Sequence, residues 1–482
     1  MGILSIDQGT TGTTVILVDH KGEILAKSYR EFKQIYPQPG WVEHDPTEIW
    51  QTVVDCIDEI CSTSIDPIEA IGITNQRETT VIWDADTGQP VYNAIVWQCR
   101  RTASLCERLY EHSDVIKEKT GLPVDAYFSG TKAQWILANA PIKKNQNLKF
   151  GTIDSWLVWN LTGGKVHATD YSNASRTMLF NIHQKTWDTG LCKLMGIALE
   201  LLPAVKNSAD DFGNVSTIES LRGVPISGIA GDQQASLFGQ QCFEKGELKN
   251  TYGTGCFIMM NTGVESITSR HGLITTLAAN PEGKPCYALE GSIFIAGAAI
   301  QWLRDELGLI QTAAESEAAA LAVDDNGGVY LVPAFTGLGA PYWDMEARGV
   351  LSGLTRGSNK NHIIRASLEA MAYQTHDVLH IMKQDTGLEI DTMAVDGGAT
   401  ENEFLMQFQA DLLDCEIKRA SRLETTALGA AYLAGMQIGI WSQDHLKSFS
   451  GRKNSFLPNM TSKSRSALLH GWASAIKQAR TK

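Results

Sequence analysis

The stretch ILSIDQGTTGTTVILVD, residues 3–19, decides the fold. It reads as an apolar strand running into Asp7, a polar turn over residues 8–14, and a second apolar strand through Val15, Ile16, Leu17 and Val18. Gly9 and Gly12 lack a Cβ, so an anion can approach the backbone closely there. Successive turn N–H groups, with the threonine hydroxyls, can face one concavity that suits phosphate oxygens. Asp7, fixed at the end of a buried strand, is placed to hold Mg²⁺ through water. The competing reading is an ordinary β-hairpin with a threonine-rich turn, and the rest of the chain must decide between them.

The same pattern returns half a chain later. Residues 248–252 read as a strand, Gly253-Thr254-Gly255 as a turn and residues 256–261 as a second strand, with Thr254 lying 244 residues after Thr10. A repeat of that size suggests two related α/β halves with a cleft between them. At 482 residues the chain is also too long for one core, and two or three domains are expected.

Composition excludes several classes. A hydrophobic share of 43% and a charged share of 20% fit an ordinary globular chain. A net charge of −13 argues against nucleic acid or an acidic membrane as partner. The nine cysteines show no CxxC pair or zinc spacing, which points to reduced thiols and a cytoplasmic location. Asp7 interrupts the first apolar run, so no secretory leader is expected, and no stretch reaches the ~18 apolar residues of a membrane span.

Between the two hairpins, polar clusters fall at strand ends, where open α/β sheets bind ligands. A third strand over residues 24–32 is followed by a helix with Asp45 as N-cap, Pro46 at its first position and Glu48 in its first turn. A strand over 68–74 ends in NQRET (75–79), and a pair over 81–84 and 92–97 ends in QCRR (98–101). YFSGTK (127–132) precedes a helix over 133–139. A strand over 226–230 ends in GDQQ (231–234) and leads to a helix over 235–240. Later come a helix carrying Gln301, a long loop over 333–343, a helix over 362–382, the strand-to-turn sequence VDGGA (395–399) and a small-residue helix over 425–434. Beyond Trp441 a polar tail ends in a helix over 464–477. No Walker A, GxGxxG, HExxH or protein-kinase pattern occurs.

The three glycine-rich turns near residues 9, 253 and 397 resemble the two phosphate turns and the adenosine turn of the actin-like ATPase fold. The words NQRET, VWQCRRT (96–102), YFSGTK, GIAGDQQA (228–235), TYGTGCF (251–257), GLGAPYWD (337–344) and DGGA (396–399) resemble, in that order, the FGGY family of carbohydrate kinases. The first four, with GLGAPYWD, resemble its glycerol-phosphorylating members rather than its pentulose kinases. The resemblance runs from about residue 3 to about residue 440.

The resemblance implies an α/β fold of two actin-like (ribonuclease H-like) domains, residues 1–242 and 243–482, with the active site in the cleft between them. It implies ATP-dependent phosphorylation of glycerol to sn-glycerol 3-phosphate with Mg²⁺. Arg77, Glu78, Tyr127 and Gln233 would hydrogen-bond the acceptor hydroxyls, and Trp97 and Phe257 would pack on its carbons. Asp232 would be the general base and, with Asp7, a metal ligand; a plain helix cap is the alternative role for it. Thr10, Thr11, Gly12, Thr254 and Gly255 would contact the phosphates. Gly297 and Gln301 would lie beside the phosphates or ribose, and Gly398 and Asn402 beside the adenosine. A homo-oligomer, dimer or tetramer, is implied as well, with no nucleic-acid partner and no membrane insertion.

Two departures limit the carry-over. Thr14 stands where many such kinases carry an arginine directed at the nucleotide phosphates; one hydroxyl replaces a bidentate cation, so a weaker phosphate grip is expected, with Lys132, Arg100 or Arg101 as the compensating cation only if restoring arginine changes neither the KM for ATP nor kcat. Residues 215–223 lack the basic glycine-rich loop that binds a sugar-bisphosphate inhibitor in some relatives, and the tail beyond residue 449 carries no recognisable regulatory site. The rival readings are a kinase of the same family acting on another polyol or a ketopentose, and a non-catalytic glycerol-binding protein.

Overall fold

Alternate residues of the first strand, β1 (Gly2–Gln8), face opposite layers. Leu4 and Ile6 join a buried cluster with Ile49, Val53 and Ile57 of helix α1 (Pro46–Thr63), which Asp45 caps by accepting from the Thr47 N–H. Ile3 faces the other way, into a cluster with Ala427 and Ala431, and the Ser5 hydroxyl donates to the Ala427 carbonyl at 2.6 Å. The computed structural model describes residues 1–64, 66–144, 146–422, 424–449 and 454–481. The expected polar tail thus includes residues 450–453 and 482, which lie outside the described residues.

The first sheet is completed by β2 (Gly12–Asp19), β3 (Ile24–Glu31), β4 (Ile68–Asn75) and β5 (Ile226–Gly231), in the order β5-β4-β1-β2-β3. β1 pairs antiparallel with β2 and parallel with β4. The second sheet has seven strands: β6 (Leu248–Tyr252), β7 (Cys256–Gly263), β8 (Ile274–Ala279), β9 (Pro285–Ile293), β10 (Thr392–Asp396), β11 (Glu416–Arg419) and β12 (Asn454–Phe456), in the order β8-β9-β7-β6-β10-β11-β12. Here β6 pairs antiparallel with β7 and parallel with β10. The same arrangement, a central strand with a hairpin partner on one side and a parallel strand on the other, therefore occurs in both sheets, as the sequence repeat implies.

The helices that position the site are α2 (Ser129–Asn139), α3 (Asp232–Gly239), α4 (Gly297–Asp305), α5 (Lys360–Thr386), α6 (Glu403–Leu413), α7 (Thr425–Gln437) and α8 (Ser462–Ala479). α3 begins at Asp232, three residues earlier than the apolar pattern indicates. Gly231 serves as its extended N-cap, and an acidic residue in the first turn suits the helix dipole. α2 likewise starts at Ser129 rather than residue 133, because Gly130, which reads as a breaker, is packed tightly beneath Thr177 and Met195. The expected strand over 92–97 shortens to Ala94–Ile95.

α7 lies on the first sheet and against α3. Gly429 and Gly239 allow that approach: a Cβ on Gly429 would fall 1.9 Å from the Ala235 carbonyl oxygen, and one on Gly239 2.0 Å from that of Thr425. The small-residue sequence of α7 thus serves backbone-to-backbone packing between segments far apart in the chain. No helix among the described residues is long and apolar enough to cross a membrane.

Candidate active site

The β1–β2 turn is held from behind. The Gly9 N–H donates to the Gly12 carbonyl at 2.9 Å, and the Gly9 carbonyl accepts from Nε2 of Gln8 and Gln76 at 2.8 and 3.0 Å. The Thr10 carbonyl accepts from Gln34 Nε2 at 3.0 Å, and Gln34 is itself held by His44 Nε2 at 2.8 Å. With the carbonyls drawn back, the N–H groups of Thr10 and Thr11 are left without an acceptor among the described residues. That is the arrangement an anion needs.

The β6–β7 turn repeats it. Gly253 N–H donates to the Gly255 carbonyl at 2.8 Å, while the Thr254 carbonyl accepts from Ala296 and Ala298 N–H, and the Gly253 carbonyl from Gly297 N–H. Gly297, at the start of α4, is pressed against this turn; a Cβ there would sit 2.6 Å from the Gly253 oxygen. Gln301 lies one turn further along α4 and is exposed. At the third turn Gly397 has φ +92°, and nothing lies within 4 Å of where a Gly398 Cβ would be, which leaves open space beside it. Asn402 caps α6 through Leu405 N–H at 2.9 Å and donates to Ser316 Oγ at 3.3 Å, so its carboxamide is already engaged.

The floor between the turns is a network of buried charges. Arg77 donates from Nη1 and Nη2 to the two oxygens of Glu290 at 2.6 and 3.0 Å, and from Nη1 to Gln234 Oε1 at 3.2 Å. Its Nε lies 3.1 Å from Asp232 Oδ1. Arg176 donates from Nε to Glu78 Oε1 at 2.6 Å and from Nη2 to Glu290 Oε1 at 3.2 Å. Burial alone would raise the Glu290 carboxyl, but Arg176 and Arg77 outweigh it and hold it at about 2. Burial pushes Glu78 upward, opposed by the same two arginines. Glu78 also occupies the left-handed region at φ +62°, a conformation costing a non-glycine residue roughly 1–3 kcal/mol. Ser129 Oγ and Thr80 Oγ1 donate to its carbonyl at 3.0 and 2.9 Å and hold it there.

An aromatic wall closes one side. The rings of Trp97 and Tyr127 lie 5.5 Å apart and those of Trp97 and Phe257 6.3 Å apart, both edge to face. Trp97 Nε1 donates to Thr10 Oγ1 at 3.0 Å, which ties this wall to the β1–β2 turn. Gln233 accepts through Oε1 from Lys249 Nζ, which also donates to Thr251 Oγ1 at 2.8 Å and to the Phe257 carbonyl at 3.1 Å. Burial lowers Lys249 to about 8 against the pull of Asp396 and Asp232.

Asp232 Oδ1 accepts from the Gln233 N–H at 2.7 Å while facing Arg77; it is the first residue of α3, whose cap is Gly231, and it presents its carboxyl group at the cleft. Asp7 makes no side-chain hydrogen bond among the described residues. Burial, then the charges of Asp232 and Glu424, push it up to about 8. No group of three acidic, histidine or cysteine side chains among the described residues could hold a metal by itself. Two converging carboxylates without a third nevertheless fit Mg²⁺, which takes one or two carboxylates, keeps several waters and completes its shell with nucleotide phosphates.

The structure thus brings together Arg77, Glu78, Trp97, Tyr127, Asp232, Gln233 and Phe257, with Thr10 joined to them through Trp97. The three cations that could stand in for an arginine at Thr14 are placed away from it. Lys132 is buried and donates to the carbonyls of Ala126, Tyr127 and Phe128, Arg100 pairs with Asp125, and Arg101 pairs with Glu43, so all three are committed elsewhere. Sequence reasoning missed Arg176, Glu290, Lys249 and Asp396. Asp396 Oδ2 accepts from Ser236 Oγ at 2.9 Å and from Thr425 Oγ1, tying the third turn to α3 and α7. Its position beside Gly397 was the available signal.

Two sheets of repeated topology, each opening a glycine turn toward a shared cleft with a polar, aromatic-walled floor, define a phosphotransferase of the actin-like class. Comparison with known proteins agrees. The N-terminal domain of the FGGY family of carbohydrate kinases matches residues 2–239, and its C-terminal domain matches residues 248–438. A glycerol kinase of Petrotoga mobilis is 57% identical over 99% of this chain and 98% of its own length, and one of Vibrio vulnificus is 55% identical over 99% and 97%. The crystal structure of Plasmodium falciparum glycerol kinase with ADP superposes with a TM-score of 0.94 at 38% identity, covering 100% of this chain and 98% of that one. A xylulose kinase from Lactobacillus acidophilus shares the fold, with a TM-score of 0.89 at 22% identity over 99% of this chain and 97% of its own. The chain belongs to the FGGY family of carbohydrate kinases.

Proposed function

We propose that this kinase transfers the γ-phosphoryl group of ATP to glycerol, giving sn-glycerol 3-phosphate and ADP. The observation that carries the reading is Asp232, held 3.1 Å from Arg77 at the start of α3, beside the aromatic wall and the Arg77–Glu78 floor. A three-carbon polyol needs such a site: an apolar wall for its carbons and paired donors and acceptors for its hydroxyls. Buried polar groups left unpaired by a wrong acceptor penalise it. The glycerol kinases 55–57% identical over nearly the whole chain support the same acceptor.

In the transfer, Asp232 takes the proton of the attacking hydroxyl as the new O–P bond forms and the bond from γ-phosphorus to the bridging oxygen breaks, leaving ADP. Arg77 holds that carboxylate in place. The free N–H groups of Thr10 and Thr11 and the turn at Thr254 and Gly255 receive phosphate oxygens, while Gly398 lies against the adenosine. Bound Mg²⁺, held by Asp7 and Asp232, would supply neutralisation of the phosphate charge. Closure of the two halves would keep water from the γ-phosphate.

We divide the chain near residue 242, supported by family matches that end at 239 and resume at 248. We further propose a cytoplasmic homo-oligomer, dimer or tetramer. The scattered cysteines, which form no disulfide, support a reducing compartment, and resemblance to the family supports the assembly.

The test is product identification. Purified protein incubated with Mg·ATP and glycerol should yield a phosphoester oxidised by a dehydrogenase specific for sn-glycerol 3-phosphate. Absence of that product, with the protein folded, would overturn the reading.

A further inference from the structure

Arg77 and Arg176 stand side by side in the floor, yet their donors are spent differently. Arg77 has both Nη atoms on Glu290, one of them shared with Gln234, and Nε beside Asp232. Arg176 uses Nε on Glu78 and Nη2 on Glu290, and its Nη1 is buried with no hydrogen-bond partner. Among the guanidinium, ammonium and carboxylate groups of the described residues, only Arg176 Nη1 and Asp396 Oδ1 are in that position. Arg176 is 0% exposed, so water does not satisfy that nitrogen at the surface.

The neighbours of Arg176 belong to the acceptor site. Its Cζ lies 5.7 Å from the Tyr127 ring and 5.3 Å from the Phe128 ring, and Nε grips the carboxylate of Glu78. A buried cationic donor left unpaired is costly, and one at a site for hydroxyl groups is explained by a ligand oxygen that completes it. A guanidinium is planar and rigid, so with two edges fixed by Glu78 and Glu290 the third nitrogen is fixed as well.

We propose that Arg176 is an acceptor-binding residue, its Nη1 donating to a non-reacting hydroxyl of the bound polyol. The proposal rests on the reading of this chain as a glycerol-phosphorylating enzyme. It adds to the roles implied by resemblance: Arg77, whose Nη2 keeps one N–H beyond its bond to Glu290, stays with Glu78 on the acceptor hydroxyls, and Arg176 supplies a further donor. The site then rejects an acceptor lacking that hydroxyl, because Nη1 would again be left unpaired.

Glycerol has two non-reacting hydroxyls, and each is missing from one simple diol, 1,2-propanediol or 1,3-propanediol. Wild type, Arg176→Lys and Arg176→Gln should be compared on glycerol and both diols for kcat/KM. Kd by calorimetry should be measured for the same ligands, so that a diol with slow turnover still reports. Lysine keeps a cation for Glu78 and Glu290 but removes the fork. Circular dichroism and thermal melting establish that each variant is folded; if R176Q is not, R176K decides alone.

The expected result is a loss of about 10- to 100-fold on glycerol and on one diol, with little change on the diol that lacks the hydroxyl read by Arg176. An equal loss on all three ligands would overturn the proposal and leave Arg176 a support for Glu78. No loss on glycerol would overturn it too. A wild type that phosphorylates no polyol would instead sink the underlying functional reading, so the two failures are distinct.

Discussion

The Arg77 guanidinium and the Glu290 carboxylate are joined by two hydrogen bonds, 2.6 and 3.0 Å long, between residues 213 apart in sequence. Arg77 follows β4 of the first sheet and Glu290 lies in β9 of the second, so the floor of buried charges is built from both sheets. The end of β4 is thereby tied to the sheet that carries the β6–β7 turn.

Glu290→Gln should lower stability by roughly 3 kcal/mol, because removing one partner of a buried pair leaves the other charge uncompensated. The carboxyl is held at about 2, below its ordinary 4.5, so its contribution is complete above pH 4.5 and is lost as the pH falls through 2. Urea denaturation between pH 2 and pH 7 should show the variant weaker at neutral pH and less sensitive over the acid range. Equal stability of the two proteins at pH 7 would contradict this.

Asp232→Asn should reduce kcat by about 10²–10⁴, the usual range for a general base, with a smaller effect on glycerol affinity. The amide retains a hydrogen bond to Arg77, so the floor stays assembled. Steady-state kinetics with calorimetric glycerol binding would separate the two effects; a collapse of binding with kcat intact would assign Asp232 to positioning alone.

Gly429→Ala pits two effects against each other. Helix propensity favours alanine by about 1 kcal/mol. The new Cβ, however, would fall 1.9 Å from the Ala235 carbonyl and force α3 from α7, an overpacking cost of about 1–3 kcal/mol. Packing should win, with a lower melting temperature and reduced turnover, since α3 carries Asp232. A more stable variant would show that the helices separate freely.

His44 is buried as the neutral ring, and burial lowers it to about 4. The unfolded chain takes up that proton near pH 6.5, so stability present above pH 6.5 should be lost as the pH falls toward 4. The loss should be roughly 3 kcal/mol for this residue. His167, also lowered to about 4, adds to the same fall. Unfolding midpoints for wild type and His44→Asn over pH 4–7 check it: the variant should show the shallower slope.

Thr14 pairs directly with Asp7 across the β1–β2 ladder, and the cations that could stand in for an arginine there are occupied elsewhere. Thr14→Arg should therefore lower the KM for ATP by about tenfold, the worth of one charge-assisted hydrogen bond. An unchanged KM and kcat would mean that the phosphate grip is already complete.

Much of this architecture was legible because it rests on local chemistry. The paired hairpins, the three glycine turns and the NQRET and GDQQ strand ends each combine a periodic apolar run with residues that only a turn or a ligand site explains. Trp97, Tyr127 and Phe257 were legible through resemblance alone, since isolated aromatics also fit a core. Glu290 was hidden because a charge inside PCYALEGSI reads as a solvent-facing position, and its partners lie 213 and 114 residues away. Arg176 follows a helix of four residues with no periodicity to mark it. Lys249 lies in a short hairpin strand with no local signal to mark it, and only the folded sheet brings it to Gln233.

The central claim is that glycerol is the acceptor and Asp232 its base. It is tested most directly by ADP release from Mg·ATP with glycerol, xylulose, ribulose, erythritol or no acceptor, for wild type and Asp232→Asn. The account predicts release that depends strongly on glycerol and falls by at least about 100-fold in the variant. Release driven by another acceptor, or glycerol bound with no turnover in the wild type, would contradict it.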